Sequence, residues 1–260
     1  MKITKILLCI LFAVVITGCQ SSLQDHPKET STSTKYEEVT KEATSEKEEI
    51  LALIDYLNQN TTSVLRLSTD TSVDNQEMGK GQTQLWKKEN QIYAFTQYKG
   101  IDADQKTLLG EKYQEIGIVN KGQFAHQDTF YRTTENTNKK FFTDDFDDLT
   151  VSKQSNNDNN VVYHLESSTT YMANIEMVGV EEKPGVLVQD ITVNSDAQIV
   201  SQVVMILDKE TNKQPDNIYK TEYTYSQYNE DVSIDEESIH QSITSIQGKK
   251  SNEVKEFIEF

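Results

Sequence analysis

A long series of short runs rich in β-branched and aromatic residues dominates the second part of this chain. Residues 63–71 alternate through Leu65, Leu67, Thr69 and Thr71, which is the two-residue period of a strand with one buried face. Polar turns separate this run from the next ones. Further runs of the same kind occupy residues 82–87, 91–99, 111–119, 123–127, 161–165, 185–194, 198–207, 218–228 and 232–234. The series predicts an antiparallel sheet built largely from hairpins.

Two segments and the three prolines complete this strand prediction. Residues 140–148 and 168–177 separate strand runs, and we expect them to be helical or irregular. Pro27, Pro184 and Pro215 all lie outside the predicted strands. Their positions agree with an antiparallel sheet, because proline cannot donate a hydrogen bond to a strand ladder.

One amphipathic helix precedes the strand series. Ser45 followed three residues later by Glu48 is the capping-box pattern of a helix N-terminus, and the polar residues 58–60 end the helical pattern. Four apolar residues recur at helical spacing and form one stripe: Ile50, Leu53, Ile54 and Leu57. A sheet with one apolar face must bury that face, so we expect this helix to pack on the sheet as a lid.

The first 18 residues have the three-part pattern of a secretory signal. Lys2 and Lys5 form a basic start, and residues 6–16 are an unbroken apolar run of 11 residues. This run is too short to cross a hydrocarbon core, which requires about 20 residues. We therefore predict a signal peptide at residues 1–18.

The end of this segment resembles the lipobox of bacterial lipoproteins. The residues that carry the resemblance are Ile16, Thr17, Gly18 and Cys19. The resemblance implies cleavage between Gly18 and Cys19, and a diacylglyceryl group with chains such as palmitate on Cys19. Two acyl chains anchor a protein stably, so we expect a membrane-anchored protein on the extracytoplasmic face. The alternative is an ordinary signal peptide whose cleavage region happens to contain a cysteine.

Charge and cysteine content exclude several kinds of site. Cys9 lies in the predicted signal peptide, so the mature chain retains one acylated cysteine and has neither a disulfide nor a thiolate metal site. Without Lys2 and Lys5, 23 basic residues remain against 42 acidic ones, so the formal charge changes from −17 to −19. Such a surface repels phosphates, and we expect no nucleic-acid partner.

The segment after Cys19 is polar and is predicted to be a tether. Residues 19–45 contain almost no apolar residues and cannot bury enough surface to fold alone. We expect a flexible connection between the membrane and the domain. Alternatively, residues 36–43 extend the first helix.

The sequence contains no recognisable catalytic or metal-binding motif. Its histidines are scattered, without a second histidine at metal spacing: His26, His126, His164 and His240. The acidic run at 144–148 and the Asn-rich run at 156–160 lack the ligand spacing of a calcium loop, and we interpret them as solvated loops. We therefore expect no cofactor, no metal and no enzymatic activity. A hydrolase whose triad assembles from distant residues is a third hypothesis.

The closing part of the strand series resembles the LolA/LppX-like lipoproteins of Gram-positive bacteria. Residues 219–234 contain alternating Thr and Tyr, then Tyr228 and Asn229, then a short apolar run, as the last strand of that family does. The strand that begins near Ser63 after the opening helix also matches. Asp235 stands where members commonly have proline.

The resemblance implies an α+β fold with a strongly curved antiparallel sheet. In this family the sheet is an incomplete β-barrel, helices cover its concave face, and an apolar cavity holds acyl chains in several members. We therefore expect a half-barrel domain at residues 46–234 and a helical or disordered extension at 235–260. The residues expected to line the cavity are Ile50, Leu53, Ile54, Leu57, Trp86, Phe95, Tyr219, Tyr223 and Tyr225.

Two functions from different classes follow. The first is non-enzymatic binding of a lipid or another apolar ligand in the half-barrel, close to the membrane. The second is an interaction or adaptor module with a filled core, which presents its acidic surface to a wall component or a protein partner. In the second case the tyrosines of the closing strand are ordinary core residues.

Overall fold

The computed structural model of the chain contains one compact unit between Ser33 and Phe260. The residues that the structure describes are 33–110, 114–121, 129–132, 140–143, 146, 148–155, 160–175, 179–249, 253–254 and 257–258. They form an open antiparallel sheet with few helices. The predicted α+β class is confirmed at this level.

The described strands form a single eleven-stranded sheet. They are β1 (Ser63–Thr71), β2 (Glu77–Lys88), β3 (Gln91–Gly100), β4 (Ala103–Leu109), β5 (Gln114–Asn120), β6 (Thr129–Arg132), β7 (Thr150–Ser155), β8 (Val161–Ile175), β9 (Gly179–Val193), β10 (Ile199–Asp208) and β11 (Lys220–Ser226). The spatial order is β6-β5-β4-β3-β2-β1-β11-β10-β9-β8-β7, with antiparallel pairing throughout. The last strand of the chain therefore pairs with the first, at the centre of the sheet.

The helices within the described residues are α1 (Lys35–Thr40), α2 (Glu46–Asn60) and α3 (Glu236–Thr244). None of them has the length and apolar character that a membrane span requires. A flexible tether was expected for residues 19–45, but the second half of this range contains α1. Tyr36 and Val39 of α1 pack against the core, and this burial explains why the segment is ordered despite its polar composition.

The helix predicted before the sheet is confirmed as α2, although its cap differs in detail. The Ser45 hydroxyl accepts a hydrogen bond from the Glu48 amide at 3.2 Å, as the capping pattern predicts. The Glu48 carboxylate binds the amide and the hydroxyl of Thr44, both at 2.7 Å, instead of the Ser45 amide. The complete capping box occurs at α1, between Thr34 and Glu37.

The strand predictions are confirmed where the two-residue alternation is clear. β1 coincides with the predicted run, and β2 and β3 form the predicted hairpin around Glu89, which has a positive φ of 58°. The prediction of helical or irregular structure at 168–177 is wrong as far as Ile175, because β8 continues to that residue. Pro184 lies inside β9, contrary to prediction. Residues 232–234 are not a strand.

The two faces of the sheet carry different helices. Paired residues on neighbouring strands point to the same face, and one such row crosses β1 to β4 through Val64, Leu85, Ala94 and Leu109. Val64 and Leu85 belong to the core that α2 covers, so we call this side the α2 face. Side chains alternate along a strand, so Lys106 points to the opposite side, where it binds Ser242 of α3 at 2.9 Å. We call that side the α3 face.

α2 packs on its face through the predicted apolar stripe. Ile50 and Leu53 have no exposed surface, and Ile54 and Leu57 retain 1% and 2%. The core under them is formed by Val64, Leu85, Ile92, Tyr163, Leu165, Ile191, Val193, Ile199 and Tyr225. The predicted packing of this stripe on the sheet is confirmed.

α3 packs against β4 and β5 on the other side. The His240 Nδ1 atom lies 2.8 Å from the buried carboxylate of Glu115. A side-chain carbon added at Gly117 would lie 3.2 Å from Ile243 and Ile246, so the glycine permits the close approach of this helix. The prediction that helices cover the concave face of the sheet is not confirmed, since α2 and α3 lie on opposite faces. Apolar strand residues such as Val119 point to this side as well, and the segment that contains α3 and Ile246 buries them.

Candidate functional site

The α2 stripe does not line an open space in this structure. A side chain beside an empty cavity exposes surface to that cavity, but Ile50 and Leu53 are fully buried and Ile54 and Leu57 nearly so. These four residues, predicted to line a ligand cavity, are close-packed core residues. Their apolar periodicity identifies a buried face, and the same pattern cannot tell a filled core from a hollow one.

Two other predicted lining residues point away from α2. Leu85 takes the α2 face, so its neighbour Trp86 lies on the α3 face, where its ring centroid is 5.7 Å from that of Tyr93. Phe95 follows Ala94 in the same alternation and lies on the α3 face too. The structure therefore does not bring these two aromatic residues to the α2 stripe.

The tyrosines of the closing strand separate into two positions. Tyr223 and Tyr225 both lie on the α2 face, with ring centroids 6.3 Å apart. Tyr225 is buried and packs against Phe142 at 5.5 Å. Tyr219 precedes β11 and is 38% exposed. Only the first two are close to the core under α2.

The α2 face continues along the strands beyond the core. We call its next part the distal patch and define it by six half-buried residues: Arg66, Leu187, Gln202, Val204, Ile206 and Tyr223. Strand pairing connects Tyr223 to Gln202 and Ile206 to Leu187. The patch therefore combines three aliphatic side chains with an aromatic ring, an amide and a guanidinium group.

A chain of hydrogen bonds joins the core to the distal patch. The Tyr225 hydroxyl donates to Gln202 Oε1 at 2.7 Å, and Gln202 Nε2 donates to Gln189 Oε1. Gln189 is 3% exposed. These bonds satisfy polar groups that lie at the edge of an apolar core, which fixes their orientation.

Arg66 is the cation of the distal patch. It lies opposite Tyr225 on one neighbouring strand and opposite Thr83 on the other, and its guanidinium carbon is 5.0 Å from the Tyr223 ring centroid. Its Nε atom is buried without a hydrogen-bond partner. Among the described residues, no Asp or Glu forms an ion pair with it.

The nearest carboxylate along the same strand and face is already occupied. Asp70 lies four residues from Arg66, about 13 Å along an extended strand. Its Oδ2 atom accepts from the Tyr98 hydroxyl at 2.8 Å, and its Oδ1 atom accepts from Thr221 at 2.6 Å. Burial and the bond to Asp70 raise the pKa of Tyr98, so this phenol stays protonated as a donor. Asp70 is thus held by two neighbours and does not neutralise Arg66.

The charge of Arg66 also affects the pKa of the Tyr225 phenol. Burial raises the pKa of this phenol to about 12, while the positive charge of Arg66 acts in the opposite direction. Tyr225 is consequently neutral at physiological pH and acts as a hydrogen-bond donor to Gln202. The positive charge at the patch remains without a counter-charge from the described side chains.

A second polar group, the Glu49 cluster, ties α2 to the sheet. Glu49 Oε2 accepts from Lys153 at 2.7 Å, from Tyr163 at 2.8 Å and from Tyr36 at 3.2 Å. Burial alone would raise the pKa of Glu49, but the bonds from Lys153 and Tyr163 hold it below its usual value. The cluster joins α1, the first turn of α2, β7 and β8.

The histidines that the structure describes are parts of ion pairs. His164 Nδ1 lies 2.6 Å from Asp190 and its Nε2 lies 3.3 Å from Glu166, and both contacts raise its pKa despite partial burial. No group of three metal-ligating side chains occurs among the described residues. His26, His126 and most of the polar runs at 144–148 and 156–160 lie outside them.

A small open cleft lies elsewhere, at the ends of β2 to β5. Its volume is about 240 Å³, and Lys80, Lys99 and Lys121 are among its lining residues. Lys121 lies 2.6 Å from Asp104, and Lys80 lies 3.9 Å from Glu77. Neighbouring carboxylates therefore offset much of the positive charge in this cleft.

Sequence reasoning missed Arg66, because the alternation through Leu65 and Leu67 predicts the other face of this strand as the buried one. Arg66 occurs in the predicted strand 63–71 next to Leu65 and Leu67. Its parity places it on the face of Val64, the first core residue of that strand. An arginine on the buried face of a central strand is uncommon, but that face is known only from the burial of Val64 and the 43% exposure of Leu67.

Comparisons with known proteins yield distant structural likenesses only. No protein-family model matches the chain, and no curated protein matches it either. Among solved structures, LprF from Mycobacterium bovis is 11% identical, with a TM-score of 0.39 over 73% of this chain and 95% of that chain. A DUF1329 family protein from Desulfovibrio piger is 9% identical, with a TM-score of 0.33 over 76% of this chain and 97% of that chain. Both TM-scores are below 0.5, so these neighbours say nothing about the function of the chain.

Proposed function

We propose that this chain is a non-enzymatic, membrane-anchored extracytoplasmic lipoprotein that binds a lipid or another amphiphile on the α2 face of its sheet. The lipobox residues that end in Cys19 support the anchor. The distal patch supports the binding surface. Its aliphatic side chains continue the face of the main core and remain half-buried.

The distal patch is the single observation that carries this proposal. Leu187, Val204 and Ile206 share one face over two neighbouring strands, so an acyl chain laid across them would bury all three. Each buried methylene contributes about 0.8 kcal/mol, and a short stretch of acyl chain is therefore enough for measurable binding. The ring of Tyr223 borders the same surface and adds an apolar contact.

This proposal moves the ligand from the position expected from sequence. The side chains of Ile50 and Leu53 are fully buried, so α2 is packed firmly on the sheet. The Glu49 cluster also attaches the first turn of α2 to the sheet. The ligand lies beyond α2, against β9, β10 and β11. Admission of the ligand then requires no displacement of the helix.

The segment between the predicted acylation site and the compact unit is short. The segment from Cys19 to Ser33 comprises 14 steps along the chain, and an extended chain covers about 3.5 Å per residue. The first residue of the compact unit therefore lies at most about 50 Å from the acylated residue. A segment of this length keeps the compact unit attached close to the membrane that holds the anchor.

A binding experiment with a matched pair of variants tests this proposal. Residues 20–260 omit the acylated cysteine and include the whole compact unit. We expect saturable binding of the fluorescent fatty acid cis-parinaric acid by this protein. Val204→Asp should weaken binding at least about tenfold, which corresponds to about 1.4 kcal/mol, because it places a charge on the patch.

Val203→Asp provides the control. Val203 is the direct neighbour of Val204 in β10 and is half-buried as well, but it points to the α3 face. We expect its affinity for the probe to stay within about twofold of the original. Equal losses in the two variants, or no saturable binding by the original protein, would contradict the proposal.

The filled core under α2 favours a second candidate function. The α2 stripe retains at most 2% exposed surface, as expected for an interaction or adaptor module that uses its acidic surface. In that case the purified protein binds no acyl probe, and extraction with organic solvent releases no lipid. The same binding experiment therefore separates the two candidates.

A further inference from the structure

Arg66 is a charge without a counter-charge among the residues that the structure describes. Its Nε atom is buried and unpartnered, and an unpaired buried donor on a charged group is costly. The Tyr225 hydroxyl accepts a hydrogen bond from the Arg66 guanidinium and donates its own proton to Gln202, and Asp70 is bound by Tyr98 and Thr221. The surroundings therefore hold the guanidinium in place and leave its charge available.

The surroundings of Arg66 also resemble a binding site in their chemistry. The guanidinium lies against the face of Tyr223 and donates to the Tyr225 hydroxyl, which restricts its motion. Such stacking leaves the remaining donors on the edge of an arginine available. The strand neighbour on the other side is Thr83, whose hydroxyl pairs with Thr96 at 3.1 Å. A planar fork of donors bordered by hydroxyl groups suits carboxylate or phosphate oxygens.

We propose that Arg66 binds the anionic headgroup of the amphiphile whose acyl chain lies on the distal patch. This inference rests on the proposed function and specifies the ligand class as an anionic amphiphile whose headgroup carries carboxylate or phosphate oxygens. Headgroup and chain positions follow from the strand order, because Arg66 is on β1 and the aliphatic residues are on β9 and β10. Tyr223 on β11 lies between them.

The alternative occupant of such a site is a free anion. Inorganic phosphate offers the same oxygens but has no chain to cover Val204 and Ile206. The formal charge of the chain without its predicted signal peptide is −19, which disfavours the approach of small anions. An amphiphile offsets this repulsion through the apolar contact of its chain, so the geometry favours the lipid source.

The test compares two probes that share one chain. cis-Parinaric acid carries a carboxylate, and its methyl ester is neutral. We expect Arg66→Gln to weaken binding of the acid at least about tenfold and to change binding of the ester less than about twofold. Lys99→Gln removes the same charge from an exposed lysine on the α3 face, and both probes should bind this control as they bind the original protein.

Arg66→Lys guards against a folding effect. It retains the charge and most of the stem but loses the planar fork, so acid binding should fall between the values for the original protein and for Arg66→Gln. Circular dichroism and thermal unfolding of each variant establish that the sheet is intact. Equal weakening of acid and ester in Arg66→Gln would overturn the headgroup assignment in favour of a structural role.

Three further outcomes are decisive. Unchanged acid binding in Arg66→Gln would also overturn the assignment, while leaving the proposed lipid-binding function in place. Displacement of the acid by millimolar inorganic phosphate in the original protein, absent in Arg66→Gln, would overturn the lipid source in favour of a free-anion site. Absence of binding by both probes to the original protein would refute the proposed function itself.

Discussion

A substitution of Glu49 tests most directly how α2 is attached to the sheet. One carboxylate oxygen accepts three hydrogen bonds, from Lys153, Tyr163 and Tyr36. The side chains of Glu49 and Lys153 are 21% and 26% exposed, so water screens this pair only in part. Glu49→Gln keeps the size of the side chain and removes its charge.

The expected loss follows from the nature of these bonds. A hydrogen bond to a charged group contributes about 1.5–3 kcal/mol, and three bonds to one oxygen are not additive. We therefore expect Glu49→Gln to lower the free energy of unfolding by about 2 kcal/mol. For a domain of this size that corresponds to a Tm decrease of about 4–8 °C.

The matched control lies in the same helical turn. Glu46→Gln removes the same charge from an exposed position in the first turn of α2. We expect its loss to stay near the value for a helix-dipole contact, about 0.3–1 kcal/mol. Urea unfolding followed by circular dichroism measures both variants, and equal losses would refute the role assigned to the Glu49 cluster.

The pH dependence of the cluster has a definite sign. Because hydrogen bonds hold the pKa of Glu49 below its usual value, its contribution is complete above the unfolded pKa and is lost as the pH falls through the folded pKa. The difference in stability between the original protein and Glu49→Gln should therefore shrink on acidification below about pH 4.5. A difference that stays constant down to pH 3 would contradict this interpretation.

Three further predictions concern the packing of α2 and α3 on the sheet. Leu53→Ala should cost about 2–5 kcal/mol in urea unfolding, whereas Leu67→Ala, at a position 43% exposed, should cost under about 0.5 kcal/mol; similar values would refute a filled core under α2. Gly117→Ala should cost about 1–3 kcal/mol by overpacking against α3, and a stabilised variant would refute the close approach of that helix. Contact with Glu115 raises the pKa of His240, so the stability that this pair contributes is complete below about pH 6.5 and is lost as the pH rises through the folded pKa. His240→Gln should abolish this pH-dependent loss of stability in unfolding experiments at several pH values. An unchanged pH profile of the variant would contradict the role of the pair.

Local patterns in the sequence were sufficient for much of the fold. The stripe that begins at Ile50 identifies α2, and the alternation in residues 63–71 identifies β1, because both signals lie within single elements. The sequence does not predict β8 beyond residue 165, since Tyr171, Met172 and Ile175 satisfy a helical spacing as well as a strand. Pairing with β9 decides between the two, and pairing is not a local property.

The candidate site was harder to derive, because it depends on which face each residue occupies. Trp86 and Phe95 are apolar and lie in strands, yet alternation turns both toward the α3 face. Tyr223, predicted to line a cavity, lies on the α2 face, and its role in binding stays a prediction. Arg66 is absent from the predicted lining because apolar character does not select an arginine. Parity within β1 relates Arg66 to Val64, but the faces of Trp86 and Phe95 follow only from the pairing of β2 with β1 and of β3 with β2.

The most direct measurement locates a bound amphiphile on the surface of the protein. Residues 20–260 are irradiated with a fatty acid that carries a photoreactive diazirine in its chain, and labelled peptides are identified by mass spectrometry. We expect labels on β10 and β11, near Val204 and Tyr223, that an excess of unlabelled fatty acid removes. Labels confined to other strands, or labels that the excess does not displace, would contradict amphiphile binding at the distal patch.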